Sequence, residues 1–121
     1  MKVLITGASG FIGSRISQYL VKKKIEVVCL VNKKRINLKN KKIKKINISC
    51  IKKNSYKDNI DTIIHCASKT PSNSNNSKKI FYENVNLMKT LLNFSKEKKI
   101  KSFIFLSSVS VYGNKRIKIL K

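Results

Sequence analysis

Acidic residues are scarce in this sequence: it has five aspartates and glutamates against 28 lysines and arginines, a formal net charge of +23. A charge of this size is typical of proteins that bind nucleic acid or an anionic membrane surface. Only three of the basic residues are arginines, and the lysines are spread along the chain without interleaved aromatic residues. The pattern therefore favours compositional drift over a specific nucleic-acid site, although loose, salt-sensitive adhesion to polyanions is expected.

Paired cysteines and long apolar runs are also missing. The three cysteines, Cys29, Cys50 and Cys66, are far apart and form no Cys-x-x-Cys pair, so no metal site is predicted and a reducing compartment is expected. Cys29 and Cys66 fall in apolar, strand-like runs and are interpreted as small buried hydrophobic residues. No run approaches the ~20 apolar residues of a membrane span, and the first apolar run is too short for a signal peptide. We therefore expect a cytoplasmic protein that does not contact a membrane.

Glycine is rare as well, and three of the four glycines stand in one stretch, Thr6-Gly7-Ala8-Ser9-Gly10-Phe11-Ile12-Gly13. This stretch follows the apolar run Val3-Leu4-Ile5 and precedes residues with helical periodicity, so it predicts a tight turn from a strand into a helix. In such a turn Gly7 allows the change of direction, Gly10 lets backbone N–H groups approach a phosphate, and Gly13 lets the helix pack on the strand. The spacing predicts a pyrophosphate site, and a turn without a ligand is the alternative.

The rest of the chain alternates between strand-like runs and helical patterns. Strands are predicted at Lys2–Thr6, Glu26–Val31, Ile43–Ile48, Asp61–Ala67 and Phe103–Leu106. Helices are predicted from the glycine turn to about Lys24, within residues 50–59 and over Lys78–Lys99, with a loop or poor short helix at Asn32–Lys42 and a loop at Ser68–Ser77. This alternation predicts an α/β fold with a doubly wound parallel sheet of strand order 3-2-1-4-5 and a ligand at the carboxyl ends of the strands. We assign residues 1–113 to this one domain and 114–121 to a tail.

The predicted helix over Lys78–Lys99 carries an apolar stripe about six turns long. The stripe consists of Phe81, Val85, Met88, Leu91, Leu92 and Phe94. Such a stripe can face the sheet or a second copy of the chain, so a homodimer is one expectation.

Four landmarks give the chain a family resemblance. In chain order they are the glycine stretch Thr6–Gly13, the run Asp61-Thr62-Ile63-Ile64-His65-Cys66-Ala67-Ser68, the pair Asn84-Val85 and the segment Lys101–Gly113. Together they resemble the extended short-chain dehydrogenase/reductases, and among these the NAD-dependent epimerases and dehydratases that act on nucleotide sugars. The resemblance covers nearly the whole chain and implies a Rossmann-like fold, a dinucleotide cofactor and, in a complete enzyme, a nucleotide-sugar substrate.

The resemblance also implies roles for individual residues. The pyrophosphate would lie along the glycine stretch, and the ribose and nicotinamide along the end of the fourth strand. The implied cofactor-binding residues are Gly7, Ser9, Gly10, Phe11, Ile12, Gly13, Ala67, Ser68, Asn84 and Ser107. Ser108, four residues before Tyr112, matches the catalytic serine that bonds the reacting sugar oxygen, and Ser107 is the adjacent alternative. A serine-rich strand end bonded to its own backbone is the competing explanation. For His65, burial in its apolar run is favoured over proton transfer.

Two departures from the family pattern affect the cofactor site. The second strand ends without an acidic residue to bind the ribose hydroxyls. The residues that follow this strand and are expected to contact the cofactor are instead Asn32, Lys33 and Arg35. Because basic side chains favour the 2′-phosphate of NADP, the expected cofactor is NADP or NAD, and NADP is weakly favoured. The Gly-Thr pair expected after Asn84-Val85 is absent, and a register that uses Asn86 and Thr90 is the alternative.

The third departure concerns the general base. In the family this is the tyrosine of a Tyr-x-x-x-Lys pair beyond the Val-Tyr-Gly segment, whose lysine lowers the pKa of the phenol. That position lies past Lys121, and the one such pair in the chain, Tyr19 with Lys23, is on the first helix. We therefore interpret the chain as an N-terminal piece, without the substrate domain, that is inactive by itself. A non-catalytic NAD(P)-binding module and a basic nucleic-acid-binding protein are the alternatives.

Overall fold

The polypeptide forms a five-stranded parallel sheet with helices on both faces. The computed structural model describes residues 1–31, 43–70, 76–108 and 111. The strands are β1 (Lys2–Thr6), β2 (Glu26–Val31), β3 (Ile43–Asn47), β4 (Thr62–His65) and β5 (Ser102–Phe105), and the helices are α1 (Phe11–Lys22), α2 (Ile48–Lys52) and α3 (Ser77–Glu97). The strand order is β3-β2-β1-β4-β5, so the predicted 3-2-1-4-5 order and the doubly wound α/β fold are confirmed.

The central strands are buried because helices cover both faces of the sheet. Successive residues of a strand point to opposite faces, so Val3 and Ile5 pack against α1 while Leu4 packs on the other side. On that second side Leu4 and Ile63 share a core cluster with Leu91 of α3. A strand that is covered on both faces has a continuous apolar sequence, which is the pattern observed in β1 and β2.

The cysteines are only partly as predicted. Cys29 is buried in the core between β2 and α1, whereas Cys66 is half-buried and lines a cavity described below. In the ranges that the structure describes, no helix is both long enough and apolar enough to cross a membrane.

The second helix begins earlier and ends earlier than the sequence predicts. The prediction places it within residues 50–59, whereas α2 spans Ile48–Lys52. Asn47 starts the helix, because its side-chain oxygen accepts a hydrogen bond of 2.9 Å from the Ser49 N–H. The chain then turns at Asn54, which has a positive φ of 47°. The predictions for residues 32–42, for residues 71–75 of the following loop and for the tail lie outside the described residues.

Helix α3 uses only part of its apolar stripe to cover the sheet. Leu91 and Phe94 are buried in the core, whereas Phe81 and Leu92 are 71% and 48% exposed. The helix has 21 residues and is therefore about 31 Å long, much longer than the strands it packs against. Phe81, close to the N-terminus of the helix, is exposed, so the stripe is not one continuous buried face.

Three of the five acidic residues of the chain lie at the amino ends of the strands. Lys2 Nζ is 3.2 Å from Glu26 Oε2 and 3.5 Å from Asp58 Oδ2, and Lys44 Nζ is 2.7 Å from the same Asp58 oxygen. Asp61 Oδ2 accepts a hydrogen bond of 2.8 Å from the Lys2 backbone N–H. These carboxylates thus lie together at the end of the sheet that is formed by the amino ends of the strands.

Replacing Asp58 with asparagine should make the stability of the protein less sensitive to acid. The hydrogen bond from Lys44 lowers the pKa of the Asp58 carboxyl. A lowered pKa in the folded state stabilises the protein above about pH 4, and this contribution is lost as the pH falls through the folded-state value. Urea unfolding from about pH 6 to about pH 2.5 should therefore show a smaller loss of stability in Asp58→Asn than in the wild type. Glu97→Gln at the end of α3 is the control, and an equal loss in wild type and Asp58→Asn would contradict this prediction.

Candidate functional site

A cavity of about 660 Å³ opens at the carboxyl ends of the strands. The loops that follow β1 and β4 meet the N-terminal half of α3 across it. This is the point where the strand order reverses between β1 and β4, and sheets of this kind bind their ligands there. Six of the predicted cofactor-binding residues line the cavity: Gly7, Ser9, Gly10, Ala67, Ser68 and Asn84.

The glycine turn leaves no room for a side chain at two positions. Gly7 has a φ of +69°, and a Cβ there would lie 2.7 to 2.9 Å from backbone atoms of Cys66 and Ala67. A Cβ on Gly13 would overlap the carbonyl oxygen of Gly7, so α1 packs directly against the turn. Gly10 differs, because its Cβ would meet only Gly7 O, at 3.2 Å. The Gly10 backbone can therefore be approached from the cavity, as a bound phosphate requires.

Helix α1 begins directly after this turn without a side-chain cap. Its N-cap is Gly10, and the first turn contains no acidic residue. Phe11 and Ile12 are 79% and 52% exposed, and the Arg15 guanidinium lies 5.5 Å from the centre of the Phe11 ring. Uncapped N–H groups and the positive end of the helix dipole both favour an anion at this point. The turn and the helix start together fit a pyrophosphate.

The Thr6 hydroxyl joins the ends of β1 and β4. Its oxygen lies 2.6 Å from His65 Nδ1 and accepts a hydrogen bond of 3.0 Å from the Ala67 N–H. Because this N–H bonds a side chain, β4 ends at His65 and not, as the sequence predicts, at Ala67. His65 is 3% exposed, which confirms its predicted burial, and desolvation lowers the pKa of its ring. Thr6 belongs to the glycine stretch, but its contact with His65 could not be predicted from the sequence, since the two residues are 59 positions apart.

Asn84 ties α3 to the loop that follows β4. Its side-chain oxygen accepts a hydrogen bond of 2.8 Å from the Lys69 N–H, and its Nδ2 donates one of 3.0 Å to the Lys69 carbonyl oxygen. Lys69 Nζ is 2.5 Å from Glu83 Oε2, and this pairing lowers the pKa of Glu83. Asn86 and Thr90 also line the cavity, but the Thr90 hydroxyl donates to the Asn86 carbonyl oxygen within the helix. Asn84, and not Asn86 or Thr90, is therefore the residue whose side chain holds the Lys69 backbone in the loop after β4, called the cavity loop below.

The serines after β5 follow the carboxyl end of that strand, but they do not line the cavity. Ser107 and Ser108 are both exposed, and the Ser108 carbonyl oxygen accepts a hydrogen bond of 3.1 Å from the Val111 N–H. Other predicted site residues fall outside the part of the chain that the structure describes, namely Asn32, Lys33 and Arg35. Among the described residues, no group of three or more His, Cys, Asp or Glu side chains could hold a metal ion.

Sequence comparison connects this geometry to a family. A sequence model of the NAD dependent epimerase/dehydratase family matches residues 3–119. The chain is 32% identical over 130 residues to the dTDP-D-glucose 4,6-dehydratase of Dictyostelium discoideum, a match that covers 93% of this chain and 30% of that protein. It is 31% identical over 137 residues to YtcB of Bacillus subtilis strain 168, an uncharacterized UDP-glucose epimerase, with 98% of this chain and 43% of that protein covered.

Solved structures share the fold. The UDP-glucose 4-epimerase from Bifidobacterium longum, in complex with NAD+ and UDP, has a TM-score of 0.81 at 24% identity, and the match covers 100% of this chain and 41% of that one. The UDP-Glc/GlcNAc 4-epimerase from Campylobacter jejuni also has a TM-score of 0.81, at 21% identity, with 98% and 40% covered. The chain thus spans less than half the length of each of these relatives and resembles their N-terminal, NAD-binding part. Because the family match extends over residues 3–119, this chain belongs to the NAD dependent epimerase/dehydratase family.

Proposed function

We propose that residues 1–121 form the dinucleotide-binding part of an NAD(P)-dependent enzyme that acts on a nucleotide sugar. The glycine turn carries this proposal, because Gly7 and Gly13 bring β1, β4 and α1 into contact while the Gly10 backbone stays open to the cavity. The uncapped start of α1 supplies N–H groups for a pyrophosphate. The crystal structure of the Bifidobacterium epimerase, which has the same fold, contains the enzyme in complex with NAD+ and UDP.

In this proposal the pyrophosphate lies along Gly10–Gly13, and the ribose and nicotinamide lie along Ala67 and Ser68. When bound, the nicotinamide supplies the carbon that exchanges a hydride with the sugar. Ser108, which follows β5 at the same edge of the sheet, hydrogen-bonds the reacting sugar oxygen. Asn84 acts indirectly, because its amide is engaged with the backbone of the cavity loop.

We expect residues 1–121 to bind a dinucleotide without turning over a sugar. The Tyr-x-x-x-Lys pair formed by Tyr19 and Lys23 lies at the end of α1, where Tyr19 is 59% exposed and Lys23 Nζ is 5.6 Å from the Tyr19 ring centre. Neither residue lines the cavity, so this pair is not placed to take a proton from a substrate there. In this proposal the tyrosine that serves the family as general base comes from further polypeptide, and sugar-dependent reduction of NADP+ by residues 1–121 alone would contradict this view.

Titration with NADH and NADPH tests the proposed binding site. A dinucleotide at about 100 times its Kd should stabilise the folded chain by about 2.7 kcal/mol, which a thermal unfolding curve detects. Gly10→Ala should weaken binding by about tenfold or more, because the added methyl group would obstruct the approach of a phosphate to the backbone. Gln18→Ala, on the exposed side of the same helix, should bind as the wild type does. A folded wild-type chain whose Tm neither dinucleotide raises would refute the proposal.

Three finer points stay predictions. A preference for NADP predicts a lower Kd for NADPH than for NADH. Substitutions that remove the positive charges of Lys33 and Arg35 should reduce that difference. Sedimentation of the purified chain tests the homodimer, and localisation of a tagged chain tests the cytoplasmic assignment. Family membership does not support the nucleic-acid-binding alternative. The non-catalytic module predicts dinucleotide binding without sugar turnover even when the chain is expressed with whatever coding sequence adjoins it.

A further inference from the structure

The direction of the hydrogen bonds around Thr6 follows from its donors and acceptors. The Ala67 N–H can only donate, so the Thr6 oxygen accepts that bond, at 3.0 Å. Thr6 is 1% exposed, and within the described ranges its hydroxyl proton has no acceptor other than His65 Nδ1, at 2.6 Å. Buried hydroxyl groups donate their proton where an acceptor is present. The donor inventory therefore favours His65 Nδ1 as the acceptor, which corresponds to a neutral ring with its proton on Nε2.

This hydrogen bond reaches the cavity through the Ala67 backbone. A Cβ on Gly7 would lie 2.7 Å from the Ala67 nitrogen, so the two backbone segments are in direct contact. Thr6, Gly7 and Ala67 line the cavity, whereas His65 does not. A displacement of the Ala67 N–H is therefore expected to move the glycine turn, and the hydrogen bonds that lead from the His65 side chain to the cavity run through Thr6.

No charged group in the described part of the chain favours a protonated His65. The Thr6 hydroxyl faces its ring from β1, and from β5 the rings of Phe103 and Phe105 lie 6.4 and 5.6 Å away, centre to centre. Burial lowers the pKa of His65, and neither a carboxylate nor an ammonium group among the described residues contributes to that change. A proton on Nδ1 would take from the Thr6 hydroxyl the one acceptor that the described residues offer it.

We propose that Thr6 and His65 are a pair of positioning residues that hold the Gly7 and Ala67 backbones in the geometry for dinucleotide binding, and that they do so only while His65 is neutral. The proposal rests on the proposed function, because the cavity is the proposed dinucleotide site. It requires that dinucleotide affinity is constant at pH values where His65 is neutral and falls where it is protonated.

Binding measurements on matched variants test the pair. Thr6→Val and His65→Leu each remove one partner and should weaken NADH or NADPH binding by about tenfold. Thr6→Ser keeps the hydroxyl, and His65→Asn places an amide oxygen near the position of Nδ1, so both should bind with nearly wild-type affinity. His65→Asn should also remove the loss of affinity that the wild type shows between about pH 7.5 and about pH 5. The double variant Thr6→Val/His65→Leu should bind no more weakly than either single variant, since the two side chains act as one unit.

Several results would overturn the proposal. Wild-type affinity in His65→Leu would do so, as would losses in the double variant that are the product of the single losses. Variants that lower the Tm but leave the Kd and its pH profile unchanged would indicate a purely structural role, which also overturns it.

Nuclear magnetic resonance separates a failure of this proposal from a failure of the proposed function. His65 is the only histidine of the chain, so its ring nitrogen signals can be assigned without ambiguity. We expect the Nε2–H tautomer near neutral pH, and an Ala67 N–H whose slow hydrogen exchange is faster in Thr6→Val but not in Thr6→Ser. If the wild type binds neither dinucleotide, the proposed function fails, while these two signals still show whether the pair orders the Ala67 backbone. An Nδ1–H tautomer overturns the proposal in either case.

Discussion

Replacing Gly13 with alanine is expected to lower the free energy of unfolding by about 3 kcal/mol and to abolish dinucleotide binding. The new Cβ would overlap the carbonyl oxygen of Gly7 and lie 3.1 Å from Ala8 Cα. These are backbone atoms, and Gly7 is itself held against Ala67, so the neighbours cannot move aside as a flexible side chain could. Helix α1 must therefore shift away from β1, which displaces the N–H groups proposed to bind the pyrophosphate. Urea unfolding and NADPH titration measure the two effects.

Gly10→Ala is the matched control, because it adds the same methyl group three residues earlier in the same turn. Its Cβ would meet only Gly7 O, at 3.2 Å, so the free energy of unfolding should fall by no more than about 1 kcal/mol. Dinucleotide binding should still weaken, since this glycine faces the cavity. If Gly13→Ala and Gly10→Ala unfold at the same urea concentration, close packing of α1 on the turn is not the contribution of Gly13.

Leu91→Ala should also lower the free energy of unfolding by about 3 kcal/mol. Leu91 is 0% exposed and shares a core cluster with Leu4 and Ile63, so its truncation leaves a cavity between α3 and the sheet. We expect the Tm to fall by on the order of 10 °C. The measurement is thermal unfolding followed by circular dichroism.

The next residue of α3 provides the control for that truncation. Leu92 is 48% exposed, and Leu92→Ala should change the free energy of unfolding by less than about 1 kcal/mol. The two variants lose the same atoms from adjacent positions, so helix propensity affects both alike. Equal losses of stability would contradict the orientation of α3 on the sheet.

The features of the fold that could be predicted are those with a local signal. The apolar run Val3-Leu4-Ile5 and the glycine spacing after it are enough to predict a buried strand and a tight turn, because burial and turn geometry constrain adjacent residues. The start of α2 was missed although its signal is local, since Asn47 is a helix-capping residue whose side chain accepts a hydrogen bond from the Ser49 N–H. The amphipathic stripe of α3 likewise indicates a helix without showing which of its apolar residues reach the core, and Phe81 is exposed.

The candidate site divides in the same way. The positions of Gly7 and Gly10 at the cavity could be predicted, because the spacing of the glycines itself carries the geometry. The connection of Thr6 to His65 and that of Asn84 to Lys69 could not, since each joins residues that only the fold brings together. Hydrogen bonds of this kind depend on side-chain orientation in three dimensions, which a single sequence does not display.

The carboxylates at the amino ends of the strands distribute the charge of this basic protein unevenly between the two ends of the sheet. Glu26, Asp58 and Asp61 offset positive charge at that edge, whereas the cavity is lined by Lys52 and Lys69 with Glu83 as its acidic residue. Because the formal net charge of the chain is +23, it attracts anions, and we expect this attraction to be weakest at the amino ends of the strands, where three of the five acidic residues lie. Added salt should therefore slow the association of a dinucleotide more than it speeds its release. The few acidic residues should thus favour the approach of anions at the carboxyl ends of the strands, where the dinucleotide site is proposed.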